Sequence, residues 1–232
     1  MQKKYKGILI FVKIYKENDL FIKFLSNTDE IISGIVYGGQ SKRKRNIFQI
    51  GFYLNLNIVQ KNNKPASIDA ELCAPFVSNI VNDKYKLNCL LCVISLINLS
   101  IIEGQKVKNI FKISNDFLNL MFVNKKWLRD YIFFLFKLLK IIGYEVEFKE
   151  DKNNRYFDLH NLEFSDHKSD NSIEFPYEYL INQRKKINRN MINNTFKIFE
   201  TVFIKNHLSI FNLQLPNQYH LFKKLVIDAF DK

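Results

Sequence analysis

Cysteine, glycine, proline and tryptophan are all scarce in this 232-residue chain, at three, seven, four and one. Three cysteines are an odd number and make no disulfide framework, which argues against a small secreted scaffold and for reduced thiols in a cytosol. "CLLC" (Cys89, Cys92) has metal-like spacing, but a structural zinc site needs four closed ligands. No second cysteine pair exists, and His160, His167, His207 and His220 lie far off in sequence. Buried thiols acting as small hydrophobes are the better reading, so no metal and no cofactor are expected. Long apolar runs are missing too. The longest, Cys89 to Ile102, is broken by Ser95, Asn98 and Ser100 and is too short to span a bilayer. The opening "MQKKYKGILIFVKIYKEND" is basic, but its short apolar run alternates into Lys13 and lacks a small-residue cleavage site, so no signal peptide is expected. Catalytic motifs are also absent: there is no P-loop, G-x-S-x-G or H-E-x-x-H. Asp69 and Glu71 read as surface carboxylates. The expectation is a soluble intracellular protein that is not an enzyme.

What the chain does have is positive charge. Lys+Arg 35 against Asp+Glu 23 gives a net charge of +12 and a pI near 9.4. AT-rich coding inflates lysine but does not by itself cluster arginines. Such a balance marks a binder of polyanions, nucleic acid first and an anionic membrane second. With 47% hydrophobic and 25% charged residues the chain is globular and core-forming.

The first 75 residues read as strands. "GILIFVKIY", "LFIKF", "IISGIVYGG", "FYLNLNIVQ" and "ASIDAELC" alternate or run apolar, and polar turns such as "KEND", "NTDE" and "KNNK" separate them. Gly34 inside the third suggests a bulge or sharp bend. Five short strands closing on themselves suggest an oligonucleotide-binding (OB) type barrel, with an SH3-like barrel or an open meander as alternatives. From Pro75 the period turns helical. "YKLNCLLCVISLINLSIIEG" is apolar all round and expected to end at Gly104, while "WLRDYIFFLFKLLKIIG" stops at Gly143 with Lys137 and Lys140 on its wet edge. The polar segment from Tyr144 predicts short strands or loop, and two or three further helices follow. The predicted fold is therefore α+β: an OB-type domain over 1–76, then a helical bundle domain over 77–232 with an irregular insertion around 145–173.

The strongest local signal is "YGGQSKRKRNIFQIG". Lys42, Arg43, Lys44 and Arg45 repel one another and contribute nothing to folding, so they point to an anion outside the chain or to a solvated hairpin tip. Tyr37 and Gln40 precede the run, Phe48 and Phe52–Tyr53 follow it, and Gly38, Gly39 and Gly51 would let backbone approach a ligand. Cations that track phosphates beside aromatic faces suit a single-stranded nucleic acid. Phe52 alternates with Leu54 and Leu56 and is assigned to the core. A second cluster, Arg184, Lys185, Lys186 and Arg189, extends a phosphate track or is a solvated linker.

In order, these pieces resemble the RecO family of bacterial recombination mediators. "YKGILIFVKIYKENDLFIKFLS" is similar to the family's first two strands and their turn. "ISGIVYGGQSKRKRNIFQIGFYLNLNI" is similar to its third strand, Gly-rich basic loop and following strand, and "FFLFKLLKIIGYEVEF" to its helix ending in G-Y. "TFKIFETVFIKNHLS" and "YHLFKKLV" resemble the last two helices more weakly. Many members carry a four-cysteine zinc knuckle after G-Y, whereas Tyr144 to Ile173 holds no cysteine here. Phe133 and Leu135 stand where the family often has a basic residue and a glutamate. The resemblance implies a mediator of DNA repair that binds single- and double-stranded DNA and anneals complementary strands. It also implies help, with RecR, in loading RecA onto DNA coated by single-strand-binding protein (SSB). The acidic tail of SSB would meet a rim including Arg129, Lys137 and Lys140. Location would be cytoplasmic, at the nucleoid during repair. The rival is a basic OB-type RNA-binding or ribosome-associated protein.

Overall fold

The computed structural model describes residues 2–60, 65–74, 76–147, 155–181 and 186–230. The chain forms two compact units, residues 1–123 and 124–232.

The first unit is built on five strands: β1 (Gln2–Lys16), β2 (Asp19–Ser26), β3 (Ile31–Val36), β4 (Tyr53–Val59) and β5 (Ser67–Ala74). They close into a barrel in the order β1-β2-β3-β5-β4, which bears out the OB-type prediction over a meander. The length of β1 makes closure possible. Gln2–Ile8 pairs with β4, and Gly7–Lys16 pairs with β2. The switch between partners falls at a bulge between Leu9 and Phe11. There Leu9 turns its backbone to the loop before β4, donating to Phe52 O (2.9 Å) and accepting from Gly51 N (2.8 Å). A bulge bends and twists a strand, as a small barrel requires at its corners.

Alternation along the strands fills the interior. Ile22, Phe24, Leu54, Leu56, Ile58, Ile68 and Ala70 are all buried, each of the six larger side chains contributing about 1.5–3 kcal/mol where fully removed from water. Gly34, expected at a bulge, pairs in register with Ile22. Its role is close approach. A Cβ there would lie 2.6 Å from Ala66 O and 2.8 Å from the Ile68 side chain, where Ile35 N bonds Ala66 O and β5 joins β3 in parallel.

Helix α1 (Lys84–Ser100) is capped by Asp83, whose carboxylate accepts from Tyr85 N and Lys86 N. Cys89 and Cys92 are both wholly buried in it. It ends at Ser100 rather than at Gly104. The chain becomes extended at Ile101 because the next residues bind the β2–β3 turn: Gly104 N donates to Ile31 O and Val107 N to Asp29 O. The Asp29 carboxylate then accepts from Asn109 N (2.9 Å) and Phe111 N (3.0 Å). It thereby satisfies the free amides that open α2 (Ile110–Val123).

In the second unit, α3 (Trp127–Ile141), α5 (Arg189–Phe203) and α6 (Asn217–Asp228) join through aromatic contacts. The Tyr131 and Phe222 rings meet edge-on at 4.9 Å, and Phe196 touches both Tyr131 (6.4 Å) and Tyr219 (6.0 Å). The polar segment forms a small sheet of β6 (Tyr156–Asp158), β7 (Glu163–Ser165) and β8 (Ser172–Glu174) in the order β7-β6-β8. A short α4 (Tyr177–Ile181) follows it. Beyond α5 the helix widens into a π turn at Ile204–Leu208 and tightens over Ser209–Phe211. Among the described residues no helix is long and apolar enough to cross a membrane.

Candidate nucleic-acid interface

The loop between β3 and β4 is a set of linked turns tied down at both ends. At its start, Gly38 N donates to Asp19 Oδ1 (2.9 Å), and Gln40 N donates to Asn18 O (3.0 Å). At its end, Gly51 N reaches the β1 bulge and Phe48 is buried. The flanking glycines serve the protein itself. A Cβ on Gly39 would meet Leu20, and one on Gly51 would meet Leu90; only Gly38 of the three faces open space.

Within this frame Lys44 N and Arg45 N both donate to Ser41 O at 3.0 Å, and Ile47 N donates to Lys44 O. That is about one turn of helical hydrogen bonding. Side chains on a helical turn point about 100° apart, so four consecutive ones cannot share a direction. Lys42, Arg43 and Arg45 are exposed, while Lys44 is half-buried. Lys44 Nζ lies 3.1 Å from Asp69 Oδ1 on β5. The run therefore presents three cations to solvent and spends the fourth on the barrel. Tyr37 stands exposed at the head of the loop. Phe52 and Tyr53 are buried, so Phe52 is core as its alternation predicted. Tyr53 is buried with it, and burial, with Asp116 nearby, pushes its hydroxyl above the ordinary range.

Register exposes a pattern hard to see in the chain order. On the outer face, Lys4 pairs with Asn57 and Lys6 with Asn55; Asn57 pairs in turn with Asp69 and Asn55 with Glu71. A lysine column thus runs beside an amide column and then an acidic one. Phosphates are attracted to the first and repelled by the last, and Lys44 half-neutralises the acidic column. The "KKYK" alternation was the available signal for Lys4 and Lys6, but their partners lie some fifty residues away.

In the second unit, Lys186 and Arg189 are exposed, Arg189 in the first turn of α5 next to the capping Asn188. Arg184 and Lys185 lie outside the described residues. Lys137 and Lys140 are exposed on α3, and Lys140 pairs with Glu145. Arg129 is engaged internally. Its Nη2 donates to Leu180 O (2.6 Å), and its guanidinium lies 5.5 Å from the Phe133 ring and 5.7 Å from the Tyr179 ring. Burial pushes the Tyr179 hydroxyl up to about 12, with Arg129 opposing and Asp130 adding to the shift. Among the described residues no three of His, Cys, Asp and Glu gather as a metal site.

No family model matches the chain. Over 142 residues it is 28% identical to the DNA repair protein RecO of Rickettsia canadensis (strain McKiel), an alignment covering 61% of this chain. The chain spans 58% of that relative's length. The similarity supports a modest RecO-like relationship, in keeping with the closed barrel followed by helices.

Proposed function

We propose that this chain is a DNA-binding recombination mediator that binds single- and double-stranded DNA and anneals complementary strands. With RecR it would help load RecA onto SSB-coated DNA. One observation carries the reading: a tethered loop on a closed five-stranded barrel holds Lys42, Arg43 and Arg45 out to solvent, in a chain similar to a DNA repair protein. Annealing needs no chemical step, because base pairing supplies the driving force. The protein has only to reduce repulsion between two phosphate backbones, which a net charge of +12 suits.

The proposed division by role is residues 1–76, the barrel, as the DNA-binding domain and 77–232 as the helical part, although α1 and α2 belong to the same compact unit as the barrel, with a zinc-free insertion around 145–173. Tyr37 and Gln40 flank the phosphate contacts of Lys42–Arg45, and the Arg184–Arg189 cluster extends them. Lys137 and Lys140, together with Arg129, are the proposed meeting point for the acidic SSB tail. The site of action is the cytoplasm, at the nucleoid during repair.

The test is annealing of complementary strands pre-coated with SSB, comparing the intact protein with a variant carrying alanine at 42, 43, 44 and 45. Intact protein should anneal coated strands and the folded variant should not. If the intact protein leaves coated strands apart, the mediator reading fails. If the variant anneals equally well, the loop is not the phosphate contact.

A further inference from the structure

Strand pairing brings two phenylalanines and two lysines together on the outside of the barrel, away from the basic run. Phe11 lies opposite Lys23 and Lys13 opposite Phe21, while Val12 and Ile22 between them point inward. The result is a checkerboard of ring and cation across β1 and β2. The Phe11 and Phe21 rings sit 6.3 Å apart at 70°, and both are half-buried. On the same face Leu25 and Ile35 are buried, so the two rings stand at the border between a covered region and the lysines. Two rings interleaved with cations match a single strand, whose bases stack and whose phosphates seek charge.

The two lysines are not equivalent. Lys23 Nζ is held by Glu103 at 3.1 Å, and Glu103 also accepts from Ser33 Oγ. Lys13 is exposed, and no carboxylate pairs with it among the described residues. Phosphate therefore gains little at the paired Lys23 and is drawn to the Lys13 side. Beyond Lys13 the same two strands carry the exposed Tyr15, with Lys16 Nζ 5.7 Å from its ring. Next to Phe21 on β3 lies Ile35, itself buried, two residues before exposed Tyr37 and the loop that holds Lys42–Arg45.

We infer that the outer face of β1 and β2 is a base-stacking platform for single-stranded DNA, with Phe11 and Phe21 as its rings and Lys13 as its phosphate contact. This rests on the DNA-binding reading above and extends it from charge to stacking. Because the rings are nearly perpendicular, only one can lie flat against a base, so the pair takes one base. The platform accounts for single-strand binding. The duplex keeps its bases stacked inside and meets only the cations.

The test uses the full chain, a short oligothymidylate, the corresponding duplex and an oligouridylate, read by fluorescence anisotropy. Phe21→Leu and Phe11→Leu keep an apolar cross-strand contact but remove the π face. Loss of one stacked base corresponds to about 5- to 150-fold in affinity. The variant that removes the stacking ring should weaken oligothymidylate binding by at least about five-fold, while the other variant, and duplex binding by both, stay within about two-fold. As a check that needs no variant, photocrosslinking of the unaltered protein to oligonucleotide carrying 5-iododeoxyuridine should label Phe11 or Phe21. If the unaltered protein binds both DNAs, yet both variants match it and crosslinks fall elsewhere, the platform is wrong and the DNA-binding reading survives. If the unaltered protein binds no DNA, both fall. Tighter binding of oligouridylate would overturn the assignment to DNA.

Discussion

Replacing Asp69 with asparagine removes the carboxylate that holds Lys44 at 3.1 Å. Three of the four loop cations are already exposed and the fourth is paired, so on the proposed reading three cations are available to phosphates. Each neutralised phosphate on a single strand adds about 0.7 to the slope of log affinity against log salt. The parent loop then contributes a slope of about 2.1, and Asp69→Asn raises this to about 2.8 by freeing Lys44. Over a four-fold rise in salt, these slopes correspond to losses of roughly 20-fold and roughly 50-fold. Folding should hardly notice, because an ion pair this exposed is worth at most about 1 kcal/mol. The assay is anisotropy of a labelled oligonucleotide across a salt series, with melting temperature as a control. Arg43→Ala should lower the slope by about 0.7 and Lys44→Ala should leave it nearly unchanged. If Lys44→Ala flattens the slope as much as Arg43→Ala, or Asp69→Asn changes nothing, the fanned arrangement of the run is wrong.

Two further perturbations probe the scaffold. Gly34→Ala should destabilise the protein by about 1–3 kcal/mol in urea denaturation, because its Cβ would press on Ala66 O where the barrel closes. Gly38→Ala, at φ +63 but in open space, should cost only about 1 kcal/mol. Equal losses would mean that close approach is not what Gly34 provides. Asp158 accepts from Asn161 N, His160 N and Ser169 Oγ. These bonds, that to Asn161 foremost, hold its carboxyl below the ordinary range. The unfolded chain therefore takes up this proton first as pH falls below about 3.9, and the contribution present above that value is lost as pH drops through the lower folded one. Melting between pH 6 and 3 should show a shallower acid loss for Asp158→Asn than for the parent. Parallel curves would refute the role of these bonds.

Strand alternation and short polar turns made the barrel legible, because a half-buried strand writes its inward face every second residue. Cys89 and Cys92 were readable as core for a similar reason, lying in a segment apolar on all sides. The candidate site was only half legible. Consecutive cations mark a candidate anion-binding loop, but which of them faces outward depends on the turn that bends them and on Asp69, a residue on another strand. Phe11, Lys13, Phe21 and Lys23 stand two apart on two strands and look ordinary in sequence. They become a surface only through register.

The sequence by itself determined the class of protein: a basic, core-forming chain with a strand-built first part and a helix-built remainder. Composition and periodicity are local properties, and short-range physics reads them. Tertiary structure decided where elements stop and which charges remain available. Helix α1 ends at Ser100, four residues short of its glycine, because the chain beyond it bonds to the β2–β3 turn. Asp29, some eighty residues earlier, caps α2. Lys44 is spent on Asp69 and Lys23 on Glu103. Each outcome depends on a pairing between distant residues, whose energy exists only once barrel closure has brought them within reach.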